Sequence, residues 1–339
     1  MIDKKNFRII FMGTPEFAVK TLKSLIENDY NVVAVVTQPD KPVGRHQDTL
    51  QPSEVKKYAL RVGLPVLQPA KMKNPEFISK LKSFNPDLCV VVAFRMLPEL
   101  VWSIPHYGTF NVHAALLPQY RGAAPINWAV INGETETGVT TFFLDNNIDT
   151  GNIIGSKKIF IPDDVNVEYV YDKLMVLGAS LALETIDLII ETLNIDNSVQ
   201  SYSHLISVIA KPQPKVENIN SAPKIFKDTC IIKWNQTVYN IYNFIRGLSP
   251  YPGAWANLVR RENTANTNKK LIVKIFKALK TEKPSIDKCG TFVVESKHLY
   301  VNTQDYQIEL LEVQLSGKKR MPVISFLNGF KDIEDYKLV

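Results

Sequence analysis

Short apolar runs alternate with amphipathic stretches through the first half of this 339-residue chain. The runs at 7–13 (FRIIFMG), 31–37 (NVVAVVT) and 87–94 (DLCVVVAF) are almost continuously apolar, whereas the stretches up to Glu27 and over 52–63 have helical spacing. Strands that are buried on both faces and separated by helices are typical of a parallel sheet covered by helices on both sides. The first half therefore predicts a doubly wound α/β fold.

The same kind of pattern continues into the middle of the chain. Spacing there predicts a helix over 124–132, strands over 137–145 and 150–161, and a long helix from about 166 to 193. Residues 208–228 then hold three prolines, several lysines and no sustained periodicity. That composition is typical of a linker.

Beyond the linker the chain changes to short strands separated by turns. A helix over 236–247 precedes apolar runs between 253 and 315, which favour a small β-barrel. We therefore expect a first domain over 1–205, a linker over 206–228 and a C-terminal domain over 229–339.

Charge is distributed unevenly between the two parts of the chain. Overall, 45% of residues are hydrophobic, 22% are charged and the net charge is +6, which is typical of a globular protein. Residues 1–204 carry a net charge of −3, whereas residues 205–339 carry +9. A basic second half favours a polyanionic partner, with nucleic acid the leading candidate, and a lysine-rich solvated face is the alternative.

Cysteine and histidine spacing argues against disulfides and metals. Cys89, Cys230 and Cys289 are odd in number and far apart, which favours reduced thiols, and no histidine pair or Cys-x-x-Cys has metal-ligand spacing. The apolar N-terminal stretch ends without a small-residue cleavage site, and no apolar run approaches the roughly 18 residues of a membrane span. We expect a cytoplasmic protein with no metal, no membrane partner and no obligate protein partner.

Ligands of open parallel sheets bind at the carboxyl ends of the strands. The first such loop, MGTPEF at 12–17, has a single glycine and lacks a dinucleotide-binding fingerprint, and no P-loop motif occurs in the chain. A second strand end, GTFNVH, places Asn111 and His113 two residues apart and so on one face. The loop after the next strands offers Asp145 and Asp149 as carboxylates that can meet the imidazole.

An amide, an imidazole and a carboxylate are the groups needed for acyl transfer by direct attack. No serine or cysteine lies in a nucleophile-elbow context, so the nucleophile would come from the substrate. The alternative is that His113 is a satisfied core histidine, Asn111 caps a turn and Asp149 serves the loop. Spacing alone leaves both interpretations open.

Several stretches together resemble one known family. FMGTPEFA, TQPDKPVGR, FNVHAALLPQYRGAAPINWAVINGETETGVT, DNNIDTG and the late GKKRM and FLNG are similar to the methionyl-tRNA formyltransferase family of folate-dependent formyltransferases. The resemblance runs from about residue 7 to 330. It implies a Rossmann-like formyltransferase domain with a mostly parallel sheet, a linker, and a small OB-like β-barrel that binds tRNA.

The resemblance also implies roles for individual residues. It places the catalytic groups at Asn111, His113 and Asp149, and the folate-contacting segment at Ala115, Leu116, Leu117 and Pro118. The donor is then 10-formyltetrahydrofolate, and the acceptor is the α-amino group of methionyl-initiator tRNA. In the 38–50 loop, Lys41 and Arg45 are the implied tRNA contacts.

Four residues, at three sites, depart from the family pattern. Lys41 stands where arginine is common, and a lysine lacks the planar fork that pairs with guanine. Ala115 replaces a usual serine, so the backbone is the expected contact with folate. Phe94 and Arg95 replace Tyr-Gly, and Arg95 can either reach the ligand or face solvent.

Other functions remain as alternatives at this point. A folate-dependent formyltransferase for amino-sugar nucleotides shares the Asn-x-His and Leu-Leu-Pro motifs but does not require the basic second half. A non-catalytic RNA-binding protein is disfavoured by the intact trio of Asn111, His113 and Asp149. A nicotinamide-dependent oxidoreductase is disfavoured by the lone glycine after the first strand.

Overall fold

The computed structural model describes residues 2–43, 49–196, 198–261 and 271–339 of the chain. The strands of the first part are β1 (Ile9–Gly13), β2 (Val32–Val36), β3 (Lys41–Val43), β4 (Thr49–Gln51), β5 (Val66–Leu67), β6 (Leu88–Val92), β7 (Thr109–His113), β8 (Arg121–Gly122), β9 (Glu136–Phe143) and β10 (Ile153–Phe160). The later strands are β11 (Ser221–Ala222), β12 (Ala254–Arg260), β13 (Leu271–Pro284), β14 (Phe292–Glu295), β15 (His298–Asn302), β16 (Tyr306–Leu315), β17 (Met321–Pro322) and β18 (Tyr336–Leu338).

The helices follow the amphipathic stretches of the sequence. They are α1 (Glu16–Glu27), α2 (Glu54–Arg61), α3 (Pro75–Ser83), α4 (Glu99–Trp102), α5 (Pro125–Ile131), α6 (Val167–Ile195), α7 (Tyr202–Ile209), α8 (Val238–Gly247) and α9 (Val323–Gly329). Short 3₁₀ helices occur at Asp228–Cys230 and Ile333–Asp335. Helix α1 shows why such stretches are helical, since Phe17, Leu22 and Leu25 are all buried on one face.

The chain forms two compact units, of which the first contains residues up to Gly122, Glu136–Ile159 and Tyr171–Ser221. Its sheet has the strand order β10-β9-β7-β6-β1-β2-β5. Strands β5, β2, β1, β6 and β7 pair in parallel, and β9 runs antiparallel to β7. Every residue of β1 and β6 is buried, as expected for central strands covered on both faces. The predicted Rossmann-like, mostly parallel sheet is confirmed.

The second unit contains Ala222–Val339 and is built on an antiparallel sheet. The strand order is β14-β15-β16-β13-β12-β18, with β17 paired to the side of β16. Register shifts between Ile275 and Ala278 interrupt the pairing of the long strand β13, as bulges do where a sheet curves. The sheet surrounds a core that includes Trp234, Ile241 and Leu258. This curved antiparallel sheet confirms the expected small barrel-like domain.

Two earlier segments of the chain, Ala123–Thr135 and Phe160–Val170, also belong to the second unit. Asn127 in α5 donates from Nδ2 to the carbonyl of Gly247 at 2.8 Å. The guanidinium of Arg246, which is buried, donates to the carbonyls of Pro162 and Val165 at 3.2 and 3.1 Å. One side of helix α8 is therefore covered by segments that precede it by about a hundred residues in the sequence. The domain boundaries expected from the sequence stay a prediction.

Candidate active site

Asn111 and His113 lie at the carboxyl end of β7, between the parallel neighbour β6 and the antiparallel neighbour β9. In the register with β9, Asn111 pairs with Phe142 and His113 with Thr140. The two side chains share a face because strand residues two apart point the same way. His113 is only 5% exposed. Because so little of the ring is exposed to water, its nitrogens form hydrogen bonds with protein groups or with a bound ligand.

The ring of His113 has a different neighbour at each nitrogen. Nε2 lies 2.9 Å from the backbone carbonyl of Tyr120, and since a carbonyl only accepts, Nε2 carries a hydrogen and donates it. Nδ1 lies 3.8 Å from Oδ2 of Asp149. That separation is longer than a hydrogen bond but close enough for strong electrostatic attraction once Nδ1 is protonated.

Asn111 presents a buried amide oxygen that lacks a partner. Among the described residues, no donor lies within hydrogen-bonding distance of its Oδ1. A buried polar atom without a partner costs about 1–3 kcal/mol, so an oxygen in this position is available to a water molecule or a ligand. A half-turn of the amide about its Cβ–Cγ bond would place the donor Nδ2 in the same position.

The loop between β9 and β10 holds Asp149 in a fixed, unusual conformation. Asp149 has φ of 54°, and its Oδ2 accepts the backbone N–H of Gly122 at 2.9 Å. The loop closes through Gly151, where an added Cβ would lie 1.7 Å from the carbonyl oxygen of Phe143. Only glycine fits there.

Asp145, the other carboxylate considered from the sequence, is occupied within this same loop. Its two oxygens accept the hydroxyl of Thr150 at 2.7 and 2.8 Å, and Oδ1 also accepts the N–H of Asn147 at 3.0 Å. The structure therefore brings Asp149, and not Asp145, to the imidazole of His113.

The segment Ala115–Pro118 turns directly after β7 and is held by one hydroxyl of β9. Thr140 is fully buried, and its Oγ1 donates to the carbonyl of Ala115 at 2.7 Å and accepts the N–H of Leu117 at 3.2 Å. Thr140 therefore fixes the conformation of the segment from inside the sheet. Its contact with a folate stays a prediction.

The side chain of Arg95, which follows β6, binds backbone carbonyls of the loop that follows β5. Its guanidinium donates to the carbonyl of Ala70 at 3.1 Å and to that of Pro69, and burial lowers the pKa of the group. Because Ala70 follows β5 and Arg95 follows β6, this side chain joins two loops at the carboxyl edge.

Two short strands, β3 and β4, form a hairpin that carries Lys41. Lys41 is exposed and pairs with Gln51, whereas Arg45 lies outside the described residues. Asp40, at the base of the hairpin, accepts Nζ of Lys56 at 2.6 Å and Nε2 of Gln68 at 2.7 Å. These donors hold the pKa of Asp40 below its usual value. The tRNA contacts of Lys41 and Arg45 stay predictions.

Sequence reasoning missed the residues that support the trio. Tyr120 supplies the carbonyl that binds His113, and Thr140 fixes the segment Ala115–Pro118. Gln213 donates from Nε2 to the carbonyls of Asp149 and Gly151 at 2.9 and 3.0 Å. The one local signal at Gln213 is the proline on each side, Pro212 and Pro214. These prolines favour an extended backbone but do not indicate which residues the side chain binds.

No cluster of three or more histidine, cysteine or acidic side chains in the described ranges is arranged to hold a metal ion. Nor is any helix in the same ranges long and apolar enough to cross a membrane.

Comparison with known proteins adds family information to this geometry. Residues 6–186 match the family described as formyl transferase, and residues 224–331 match the formyl transferase C-terminal domain. The chain is 52% identical to the methionyl-tRNA formyltransferase of Parabacteroides distasonis, across 99% of both chains. It is 44% identical to the protein of the same name from Flavobacterium johnsoniae, across 98% of this chain and 99% of that one.

Solved structures share the fold at much lower identity. HypX from Aquifex aeolicus, in complex with tetrahydrofolic acid, has a TM-score of 0.58 at 16% identity, covering 95% of this chain and 47% of HypX. The sugar 3N-formyl transferase WlaRD, in the presence of dTDP and 5-N-formyl-THF, has a TM-score of 0.57 at 21% identity. The match covers 92% of this chain and 99% of WlaRD. The family matches and the full-length relatives together place this chain in the formyl transferase family.

Proposed function

We propose that the protein transfers the formyl group of 10-formyltetrahydrofolate to the α-amino group of methionyl-initiator tRNA, producing N-formylmethionyl-tRNA for translation initiation. The observation that carries the proposal is the juxtaposition of Asn111, His113 and Asp149 at the carboxyl edge of the sheet, in a chain collinear with relatives of that name. The tRNA substrate supplies the attacking amine, so the enzyme needs no nucleophile of its own.

Asn111 is the group placed to stabilise negative charge on the formyl oxygen. Its buried Oδ1 has no hydrogen-bond partner among the described residues, and a half-turn of the amide would bring the donor Nδ2 to that position, facing the formyl oxygen. A preorganised donor of this kind is worth on the order of 100-fold or more in rate. The vacant hydrogen-bonding capacity of Asn111 is the feature of the chain that best fits a bound formyl donor.

His113 is placed to accept the proton that leaves the amine. Nε2 is already donating to Tyr120, so Nδ1 holds the free lone pair of the neutral ring. When Nδ1 gains a proton, the carboxylate of Asp149 at 3.8 Å stabilises the resulting imidazolium. The N–H of Gly122 donates to the same Oδ2 and so fixes the position of the carboxylate beside the ring.

Substrate binding uses surfaces on both parts of the chain. Ala115–Pro118 is the proposed folate contact; the carbonyl of Ala115 and the N–H of Leu117 already bind Thr140, so the other groups of the segment are the freer ones. Lys41 and Arg45 are the proposed tRNA contacts of the hairpin. The net charge of +9 after residue 204 suits binding to phosphates.

A formylation assay tests this function directly. Purified protein, 10-formyltetrahydrofolate and methionyl-initiator tRNA should give formylmethionyl-tRNA, and His113→Ala and Asn111→Ala should each lose at least about 100-fold in kcat. Leu60→Ala, an exposed position on α2, is the matched control and should retain full activity. Formylation of an amino-sugar nucleotide alone, or tRNA binding without formylation, would overturn the proposal in favour of one of the alternatives.

A further inference from the structure

Residues 211–220, called the strap below, run extended along the first unit with no helix of their own. At the start of the strap, the backbone of Lys211 pairs with that of Ile153, with both N–H···O distances at 2.8 Å. Ile153 begins strand β10, directly after the loop that carries Asp149. The strap is therefore attached to the sheet next to the candidate active site.

Gln213 is the strap residue that binds the Asp149 loop through its side chain. Its Nε2 donates to the carbonyls of Asp149 and Gly151 at 2.9 and 3.0 Å. Its Oε1 accepts from Nε and a terminal nitrogen of Arg121 at 3.2 and 2.6 Å. One amide thus links the loop after β9 to the residue that follows Tyr120.

The far end of the strap binds the other loop beside His113. The carbonyl of Asn220 accepts the N–H of Tyr120 at 2.6 Å, and its own N–H donates to Oε1 of Gln119 at 2.8 Å. Nε2 of Gln119 in turn donates to the carbonyl of Asn218 at 2.9 Å. The Gln119–Tyr120 turn is therefore fixed by the strap at several points.

These two loops supply both neighbours of the His113 ring, the carbonyl of Tyr120 at Nε2 and the carboxylate of Asp149 at Nδ1. Tyr120 and Asp149 both have left-handed backbones, with φ of 59° and 54°. A residue other than glycine keeps such a conformation only where its surroundings hold it. The strap supplies those restraints for both residues.

We infer that the strap is a positioning device for the catalytic imidazole and that Gln213 is a positioning residue acting through Asp149. It touches no reacting atom. It sets the direction of the Asp149 carboxylate and the separation between the two loops that hold the ring. The kinetic part of this inference rests on the proposed function, whereas the effect on the ring itself does not.

The test replaces Gln213 with Met, which has a similar length but neither donor nor acceptor. Because displacements of about 1 Å can cost on the order of 100-fold in rate, Gln213→Met should lower kcat by about 10- to 100-fold. KM for 10-formyltetrahydrofolate and for the tRNA should change less than about threefold. Val216→Ala, at a 40% exposed position of the same strap, is the control and should leave kcat unchanged.

A second background separates positioning from a general loss of structure. In Asp149→Ala the carboxylate is gone but the backbone carbonyl that Gln213 binds remains, so adding Gln213→Met should cost less than about threefold. Equal losses in the two backgrounds would overturn the inference, as would an unchanged kcat in the single variant. Gln213→Glu, which keeps the length but loses both N–H donors to the loop, repeats the test if Gln213→Met does not fold.

The state of the ring can be followed without any substrate. With ¹⁵N-labelled histidine, the His113 signals, assigned by their loss in His113→Gln, should shift in Gln213→Met and stay in place in Val216→Ala. Unchanged His113 signals in Gln213→Met would refute positioning by the strap. If those signals shift but wild-type protein does not formylate methionyl-tRNA, the proposed function fails and the inference about the strap stands.

Discussion

Thr140→Val should loosen the turn after β7 with almost no change in side-chain volume. Thr140 is fully buried, and its hydroxyl is the partner of both the Ala115 carbonyl and the Leu117 N–H. Valine replaces that hydroxyl with a methyl group of similar size. The substitution therefore removes two hydrogen bonds and leaves a carbonyl and an amide buried without partners.

The expected loss of stability follows from those two groups. A buried polar group left unsatisfied costs about 1–3 kcal/mol, and the added methyl returns about 1 kcal/mol. Two such groups cost about 2–6 kcal/mol together, so Thr140→Val should lower the free energy of unfolding by about 1–5 kcal/mol, with a midpoint of about 3 kcal/mol. Thr140→Ser, which keeps the hydroxyl and deletes one methyl, should lose only about 1 kcal/mol.

Urea denaturation followed by circular dichroism measures the stability difference between these variants. Faster hydrogen exchange at the Leu117 amide in Thr140→Val would locate the change at the turn. KM for 10-formyltetrahydrofolate should rise in Thr140→Val more than in Thr140→Ser, because Ala115–Pro118, the proposed folate contact, is no longer held. A valine variant within about 0.5 kcal/mol of the serine variant would refute the role assigned to the hydroxyl.

Three further changes test other parts of the structure. Asp40→Asn weakens the ionic anchor of the hairpin and should raise KM for tRNA by about three- to tenfold while KM for folate stays the same; equal rises would contradict it. Gly151→Ala should abolish formylation by pushing the loop off Phe143, whereas Gly329→Ala, with open space around it, should stay active. Burial alone would raise the pKa of Asp305, but backbone N–H donors outweigh it and lower that pKa. The carboxylate therefore stabilises the fold above its unfolded pKa of about 3.9, and this stabilisation should fade as the pH falls through the folded pKa. Asp305→Asn should remove this pH dependence from the free energy of unfolding measured in urea.

The parallel sheet and the placement of Asn111 and His113 could be predicted because both follow from local rules. Runs such as LCVVV are apolar at every position and read as buried strands, and a period of two places residues 111 and 113 on one face. The neighbourhood of the trio had no such local signal. The partner of His113 at Nε2 is a backbone carbonyl, which every residue has, and Gln213 meets Asp149 from 64 residues away.

The domain division shows the same limit of local pattern. Residues 124–132 were expected to be helical, and α5 forms there, but helical spacing does not indicate which core the helix joins. Contacts distant in sequence decide which core α5 joins. One is the hydrogen bond from Asn127 to the carbonyl of Gly247, and another is the close approach of Ile131 to Gly247, which has no side chain. Prolines and lysines at 208–228 indicate a segment without sustained periodicity. This composition does not indicate that Lys211 pairs with Ile153 of β10 or that Gln213 binds the Asp149 loop.

The threading of Ala123–Thr135 and Phe160–Val170 into the second unit limits how the protein can be divided or recombined. A fragment that begins at Ala222 would lack the carbonyls of Pro162 and Val165, to which Arg246 donates, and the helix α5 that packs beside Gly247. A chimera made by exchanging only the C-terminal part would face the same mismatch at α5. The second unit is therefore not a module that residues 222–339 can form alone, although the family match to that region covers only its C-terminal part.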